Sequence, residues 1–273
     1  MVVNQSKNIF VTFGAGRSGW IGAAKRITVE AEKTGLFEFC FNLDEHWLKT
    51  WDPAIYKIGL GLRKTLPPRG FGYWTWKPSI LLWAHLNFPS HQVVYVDAGS
   101  QFSPGSLIGS ELESDLRLAF NNKGLAWALE EQVEEKWTKA DLVAHLSLSA
   151  EITGSAQVQS GFIALSPLWD RGSLIAKWRE IALVESGILF TDISKRRNSV
   201  SFVEHRHDQS ALSCLWKIHH FPIIHDKTQP SRANEYSLLA WRNNSRLTIE
   251  SSSFLRRLNK FKNLCSDLIT LRK

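Results

Sequence analysis

The chain has 273 residues, 44% of them hydrophobic and 22% charged, a balance that can bury one sizeable core and excludes wholesale disorder. A formal net charge of +7 points to an anionic partner: a nucleotide, a phospholipid surface or nucleic acid. No apolar run approaches the ~20 residues of a membrane span, and zinc-finger, RRM and KH spacings are lacking, so nucleic acid is not an expected partner.

Residues 1–8 are polar, without a signal-peptide pattern, and lead into an apolar strand at 9–13 closed by Gly14-Ala-Gly16. A helix follows over about 20–33, with Ile21, Ala24, Ile27 and Ala31 on one face and Gly35 as its stop. Residues 37–41 read as a second strand. Strand, turn, helix and strand in this order open an α/β sheet with parallel strands. The run Gly14-Ala-Gly-Arg-Ser-Gly19 satisfies a dinucleotide-type glycine pattern. Arg17 sits inside that loop, however, and no acidic residue closes the second strand cleanly, which argues against a dehydrogenase.

Residues 42–69 form a Trp-rich helical or loop stretch ending at Pro67-Pro68. Pro78 suits the first turn of a helix that continues through residue 86. Val93-Val-Tyr-Val96 is a buried-type strand ending on Asp97, Ala98 and Gly99, and strand carboxyl ends are where open α/β sheets bind ligands. Residues 106–150 read as mostly helical, through the acidic run Glu130–Glu135, with Thr138 as a cap three residues before Asp141. A single strand is expected at 156–166, a helix at 168–185, a helix opened by His207, Asp208 and Gln209, and a last strand at 221–225.

Lys77 follows Tyr73, Trp74 and Trp76 and precedes a helix start, so it reads as a clamp on a diphosphate. Asp97 and Lys77 with these rings suit a diphosphate carrying a flat base or a sugar. Several of the 12 tryptophans, Trp20 and Trp137 among them, sit near turns, where stacking on a sugar face is open to them. Cys40, Cys214 and Cys265 make no CxxC pair, which fits a reducing, cytoplasmic setting. The stretch 251–273 spaces Phe254, Leu258, Phe261, Cys265 and Leu268 with basic residues between them, the pattern of an amphipathic helix lying on an anionic membrane surface.

Four segments in order, Gly70-Phe-Gly-Tyr-Trp-Thr-Trp-Lys-Pro78, Val94-Tyr-Val-Asp-Ala-Gly99, Gln159-Ser-Gly-Phe-Ile-Ala-Leu165 and His205-Arg-His-Asp-Gln-Ser-Ala-Leu-Ser213, resemble bacterial GT-A (nucleotide-diphospho-sugar) glycosyltransferases of surface polysaccharide synthesis. The resemblance covers about 8–230. It implies one GT-A-like, Rossmann-like α/β domain over 1–245, with a mostly parallel sheet flanked by helices, and a separate basic tail over 246–273. It also implies a nucleotide-sugar donor and a glycan or lipid-linked acceptor. Thr12, Phe13, Gly14 and Arg17 fall where such folds meet the nucleoside, and Gln159, Ser160 and Gly161 where they face the donor sugar. His207, Asp208 and Gln209 are the candidates for the sugar side, with Asp208 as base or as an orienting group. The family usually holds Mn²⁺ or Mg²⁺ with Asp-x-Asp. Here Asp97 alone matches, and His225 is the candidate second ligand. The rival expectation is a non-catalytic basic protein that binds nucleotide, nucleic acid or membrane on a degenerate fold of this kind.

Overall fold

A computed structural model describes residues 7–67, 69–103, 107–227 and 238–240. Strand β1 (Asn8–Gly14) is buried along its whole length; Ile9, Phe10, Val11 and Phe13 suit a strand covered on both faces, and Asn8 and Thr12 are buried with them. Helix α1 (Ser18–Thr34) ends on Gly35, which is left-handed at φ 69°. Gly14 is fixed by packing rather than by conformation: a Cβ there would lie 2.6 Å from the Trp20 carbonyl oxygen of α1. After β2 (Phe39–Asp44) come α2 (Glu45–Trp51) and α3 (Pro53–Thr65), capped by the carboxylates of Asp44 and Asp52. Helix α4 (Lys77–Asn87), with Pro78 in its first turn, leads to β3 (Gln92–Val96) and a short β4 (Gln101–Phe102).

The second half holds α5 (Leu107–Asn121), β5 (Gly124–Val133), α6 (Glu134–Trp137), α7 (Ala140–His145) and α8 (Ala150–Thr153). It continues with β6 (Ala156–Val158), β7 (Phe162–Leu165), α9 (Arg171–Leu183), α10 (Asp208–Ile218), β8 (Ile223–His225) and β9 (Leu238–Leu239). Seven strands make one sheet in the order β2-β1-β3-β7-β5-β6, with β8 also on β5, and β4 and β9 pair separately. β7 runs antiparallel to β3 and β5, and β6 antiparallel to β5. The other five strands point one way, so the sheet is mixed and mostly parallel in direction. One face packs Ile80, Trp178 and Trp216 of α4, α9 and α10, and the other Ile27 and Leu116 of α1 and α5. This is the α/β architecture that the sequence implied, with helices on both faces.

Three expectations need correcting. The acidic run Glu130–Glu135 read as helix is split: residues 130–133 are the outer end of β5, the longest strand in the sheet, and only Glu134 and Glu135 lie in a helix, α6. The inner half of β5, Gly124–Trp127, is buried between neighbours, and that pairing overrides the helix preference of Ala, Leu and Glu. Thr138 caps nothing: its hydroxyl donates to Glu134, 2.5 Å away, and Lys139 occupies the cap position of α7. The strand expected over 156–166 is two strands, β6 and β7, broken at 159–161. The expectations for a boundary at 245 and an amphipathic helix over 251–273 lie outside the described residues. No helix among the described residues is long and apolar enough to cross a membrane.

The turn before α4 is tightly wound. Gly70, Gly72, Tyr73 and Trp74 all take positive φ. A Cβ on Gly72 would fall 2.4 Å from the Cα of Gly59 in α3. Gly72→Ala therefore combines a left-handed alanine with a backbone clash, and a loss of about 1–3 kcal/mol is expected in a urea melt. An unchanged midpoint would contradict the packing described.

Candidate active site

Because β7 is the reversed strand beside β3, its start lies against the end of β3, and the Asp97 N–H donates to the Gly161 carbonyl at 2.9 Å. The break at 159–161 is thus what turns Gln159, Ser160 and Gly161 toward the strand end carrying Asp97. Buried Arg26 of α1 ties down the following turn, donating to the carbonyls of Ala98 (3.1 Å) and Ser100 (2.8 Å). These strand ends, the turn before α4 and the start of α10 enclose a cavity of about 510 Å³.

At its base lies Lys77, 1% exposed. Its Nζ is 2.6 Å from Asp208 Oδ2, 3.1 Å from Asp97 Oδ1, and 3.1 Å from both the hydroxyl and the carbonyl oxygen of Ser160. An ammonium has three protons, so these four oxygens leave it none to spare. The Ser160 hydroxyl in turn donates to Asp208 Oδ2 (2.7 Å), and the Tyr95 hydroxyl to Asp97 Oδ1 (2.6 Å). Burial favours a neutral lysine, but the charges of Asp208 and Asp97 outweigh it and hold the Lys77 pKa above its ordinary value. Burial, reinforced by the Asp97 charge, raises Tyr95 well above its ordinary value and keeps it a donor. Asp208 is nearly sealed, with 7% of its side chain exposed, whereas Asp97 has 40% exposed. Two carboxylates and one ammonium leave the trio with a net charge of −1.

His207 borders the cavity in a strained conformation, φ 55° and ψ −119°. Its Nδ1–H donates to the Phe190 carbonyl at 2.8 Å, and its ring stacks on Trp74 with centroids 5.3 Å apart. Burial pushes its pKa down, so the imidazole is neutral near pH 7. Gln209 also borders the cavity and donates to Gln157 Oε1 at 2.7 Å. Behind Gln157 lies Glu134, fully buried and bonded to Thr138, Gln157, Ser213 and Lys217.

Phe13, Ala98 and Gly99 also line the cavity with the groups above. Phe13 is 4% exposed and stacks on Trp76 at 4.1 Å, so its ring is spent within the protein. Thr12 and Gly14 support the site without lining it: the Thr12 hydroxyl donates to the Val96 carbonyl, and Gly14 packs against α1. Arg17 is exposed at the start of α1 and is not among the lining residues. Neither is His225, whose Nδ1 lies 2.6 Å from Glu130. Trp20, one of the tryptophans read as open to sugar stacking, lines the cavity, whereas Trp137 does not; Tyr95, Arg69, Glu204 and Arg206 line it without having been singled out by sequence. The arginines are paired at its edge, Arg69 with Asp192 (3.3 Å) and Arg206 with Glu204 (2.9 Å).

The donor set does not fit a divalent ion held by the protein alone. An ammonium occupies the place between the two carboxylates, and among the described residues no group of three or more His, Cys, Asp or Glu is placed to hold a metal. Mn²⁺ alone is expected to bind with a Kd above about 1 mM by titration calorimetry, since one carboxylate is a poor site for a hard cation. A Kd below that by tenfold would contradict this description.

No family model matches the sequence, and no curated protein does. Among solved structures the chain is similar to a glycosyltransferase involved in glycosylation of the major capsid of PBCV-1, at 12% identity and a TM-score of 0.43, covering 89% of this chain and 94% of that one. It is similar to the galactosyltransferase LgtC, solved with donor and acceptor sugar analogues, at 15% identity and a TM-score of 0.40, covering 82% and 76%. A third is the bifunctional glycosyltransferase WbbM, at 9% identity and a TM-score of 0.47, covering 90% of this chain and 47% of that one. The domain is α/β, with a mixed sheet between two layers of helices, and the chemistry rests on this chain's own residues.

Proposed function

We propose that the chain is a glycosyltransferase that moves a sugar from a nucleotide-diphosphate donor to a glycan or lipid-linked acceptor in surface polysaccharide synthesis. The observation that carries this reading is the Asp97–Lys77–Asp208 trio at the base of an aromatic-walled cavity, at the carboxyl end of β3. Transfer forms a bond from an acceptor hydroxyl oxygen to C1 of the sugar. The bond from C1 to the diphosphate oxygen breaks, its electron pair stays on the diphosphate, and the hydroxyl proton is released. Positive charge grows on C1 and the ring oxygen as that bond stretches. A net-negative trio with the Asp97 carboxylate open to the cavity suits that end of the donor.

Asp208, held by Lys77 and Ser160, then serves to fix the ammonium rather than to accept a proton. Lys77 reaches a diphosphate only by exchanging one of its four protein oxygens, so its first role here is to position the carboxylates. Trp20 and Trp74 supply ring faces for the base, the sugar or the acceptor. The catalytic unit would occupy 1–245, with 246–273 a basic segment able to rest on an anionic membrane from the cytoplasmic side.

A thermal-shift screen of UDP-, GDP-, CMP- and dTDP-sugars, with Mn²⁺ and with EDTA, tests the reading, because a ligand bound to the native state raises Tm. A donor that shifts Tm and yields free nucleotide supports it. No shift with any donor at millimolar concentration overturns it, and a shift without turnover favours the non-catalytic alternative.

A further inference from the structure

Away from the cavity, a second lysine is fully buried, and no carboxylate bonds it. Lys139 Nζ donates to three backbone carbonyls, Ile188 (2.6 Å), Thr191 (2.9 Å) and Ile193 (2.8 Å), one for each proton of an ammonium. The segment 184–193 that it gathers is not regular. Glu185, Ser186 and Gly187 take positive φ in succession. Two further carbonyls of the same segment are bonded to imidazoles: Leu189 accepts from His205 Nε2 and Phe190 from His207 Nδ1, both at 2.8 Å, and His207 lines the cavity. Asp192, also on it, pairs with Arg69 at the cavity edge. The Lys139 backbone N–H closes the circuit by donating to His205 Nδ1 at 3.4 Å.

We propose that Lys139 is a positioning residue for the cavity, acting through segment 188–193 to hold the imidazole of His207, and with it the start of α10 and Asp208, in place. This rests on the reading that the cavity is where transfer occurs. An ammonium satisfies all three carbonyls, whereas a neutral amine has two protons and a lone pair, so one carbonyl loses its donor and meets a like dipole. Burial brings the Lys139 pKa down to about 8, against the smaller opposing pull of Asp141 and Asp192. His205, which accepts from the Lys139 N–H, and His207, whose signals the test follows, are both held below the ordinary histidine value and are neutral at that pH. A change near pH 8 is therefore assignable to the lysine.

The test follows the imidazole signals of His207 by NMR alongside transfer from the donor found in the thermal-shift screen. In the wild-type protein the His207 signals should move with a midpoint near pH 8, and kcat should fall about fivefold by pH 9.5 while KM for the donor stays within about twofold. Lys139→Arg keeps its charge and should abolish that midpoint. Lys139→Met should show the high-pH His207 signals already at pH 7, with kcat down about tenfold. Wild-type His207 signals in a folded Lys139→Met protein would overturn the proposal. Should that variant not fold, a wild-type His207 resonance that stays flat between pH 7 and 9.5 would overturn it equally. If the transition appears but no variant transfers sugar, the positioning stands and the transferase reading falls.

Discussion

Lys77→Met should be the most damaging single substitution in the cavity. It removes the partner of a carboxylate that is 7% exposed, and stripping one member from a buried ion network costs about 3–5 kcal/mol. The loss should be visible as a lowered urea midpoint, with donor turnover below detection. The double variant Lys77→Met/Asp208→Asn should recover part of that stability, since it no longer strands a buried charge, without recovering turnover. Equal destabilisation in the single and double variants would show that the pairing seen here contributes nothing.

Asp97→Asn should behave in the opposite way. Asp97 is 40% exposed, and an asparagine oxygen can still accept from Tyr95 and Lys77, so Tm should stay within a few degrees of wild type. Turnover should nevertheless fall by about 10²–10³, because the trio loses its net negative charge where the sugar carbon becomes positive. Full activity in this variant would remove Asp97 from the mechanism. The pair of substitutions thus separates a group that holds the site together from one that faces the reaction.

The sequence made the edges of the site readable. Asp97 closes a run of β-branched and aromatic residues, Lys77 sits at a proline-marked helix start, and Asp208 begins a helix, all signals local in the chain. The join between them was not readable, because the reversed direction of β7 is a property of the sheet and residues 156–166 look like one strand. The acidic end of β5 misled for the same reason: Glu130 and Glu131 are exposed beyond the strand's buried half, and residue preference alone favours helix there.

The buried cations were also hidden. The side chains of Arg26, Lys139 and Arg171 all donate to converging backbone carbonyls, Lys139 to these alone, Arg26 also to Glu30, and Arg171 also to His85. A lysine or arginine in a sequence reads as surface, and nothing local announces that loop carbonyls will converge on it. Arg26 had the clearest trace, lying one position from Ile27 on the inward side of α1, where a charge needs a reason to be buried.

The spacing of the trio along the chain sets when the cavity can mature. Lys77 and Ser160 are 83 residues apart, and Ser160 and Asp208 a further 48. On the ribosome, a nascent chain extended only to residue 150 carries an ammonium and one of its carboxylates but lacks the serine, the second acid and β7 that would seat them. The amine stays in water until the last third of the polypeptide emerges, so the trio assembles in one late step, and an N-terminal fragment that ends before Asp208 lacks it.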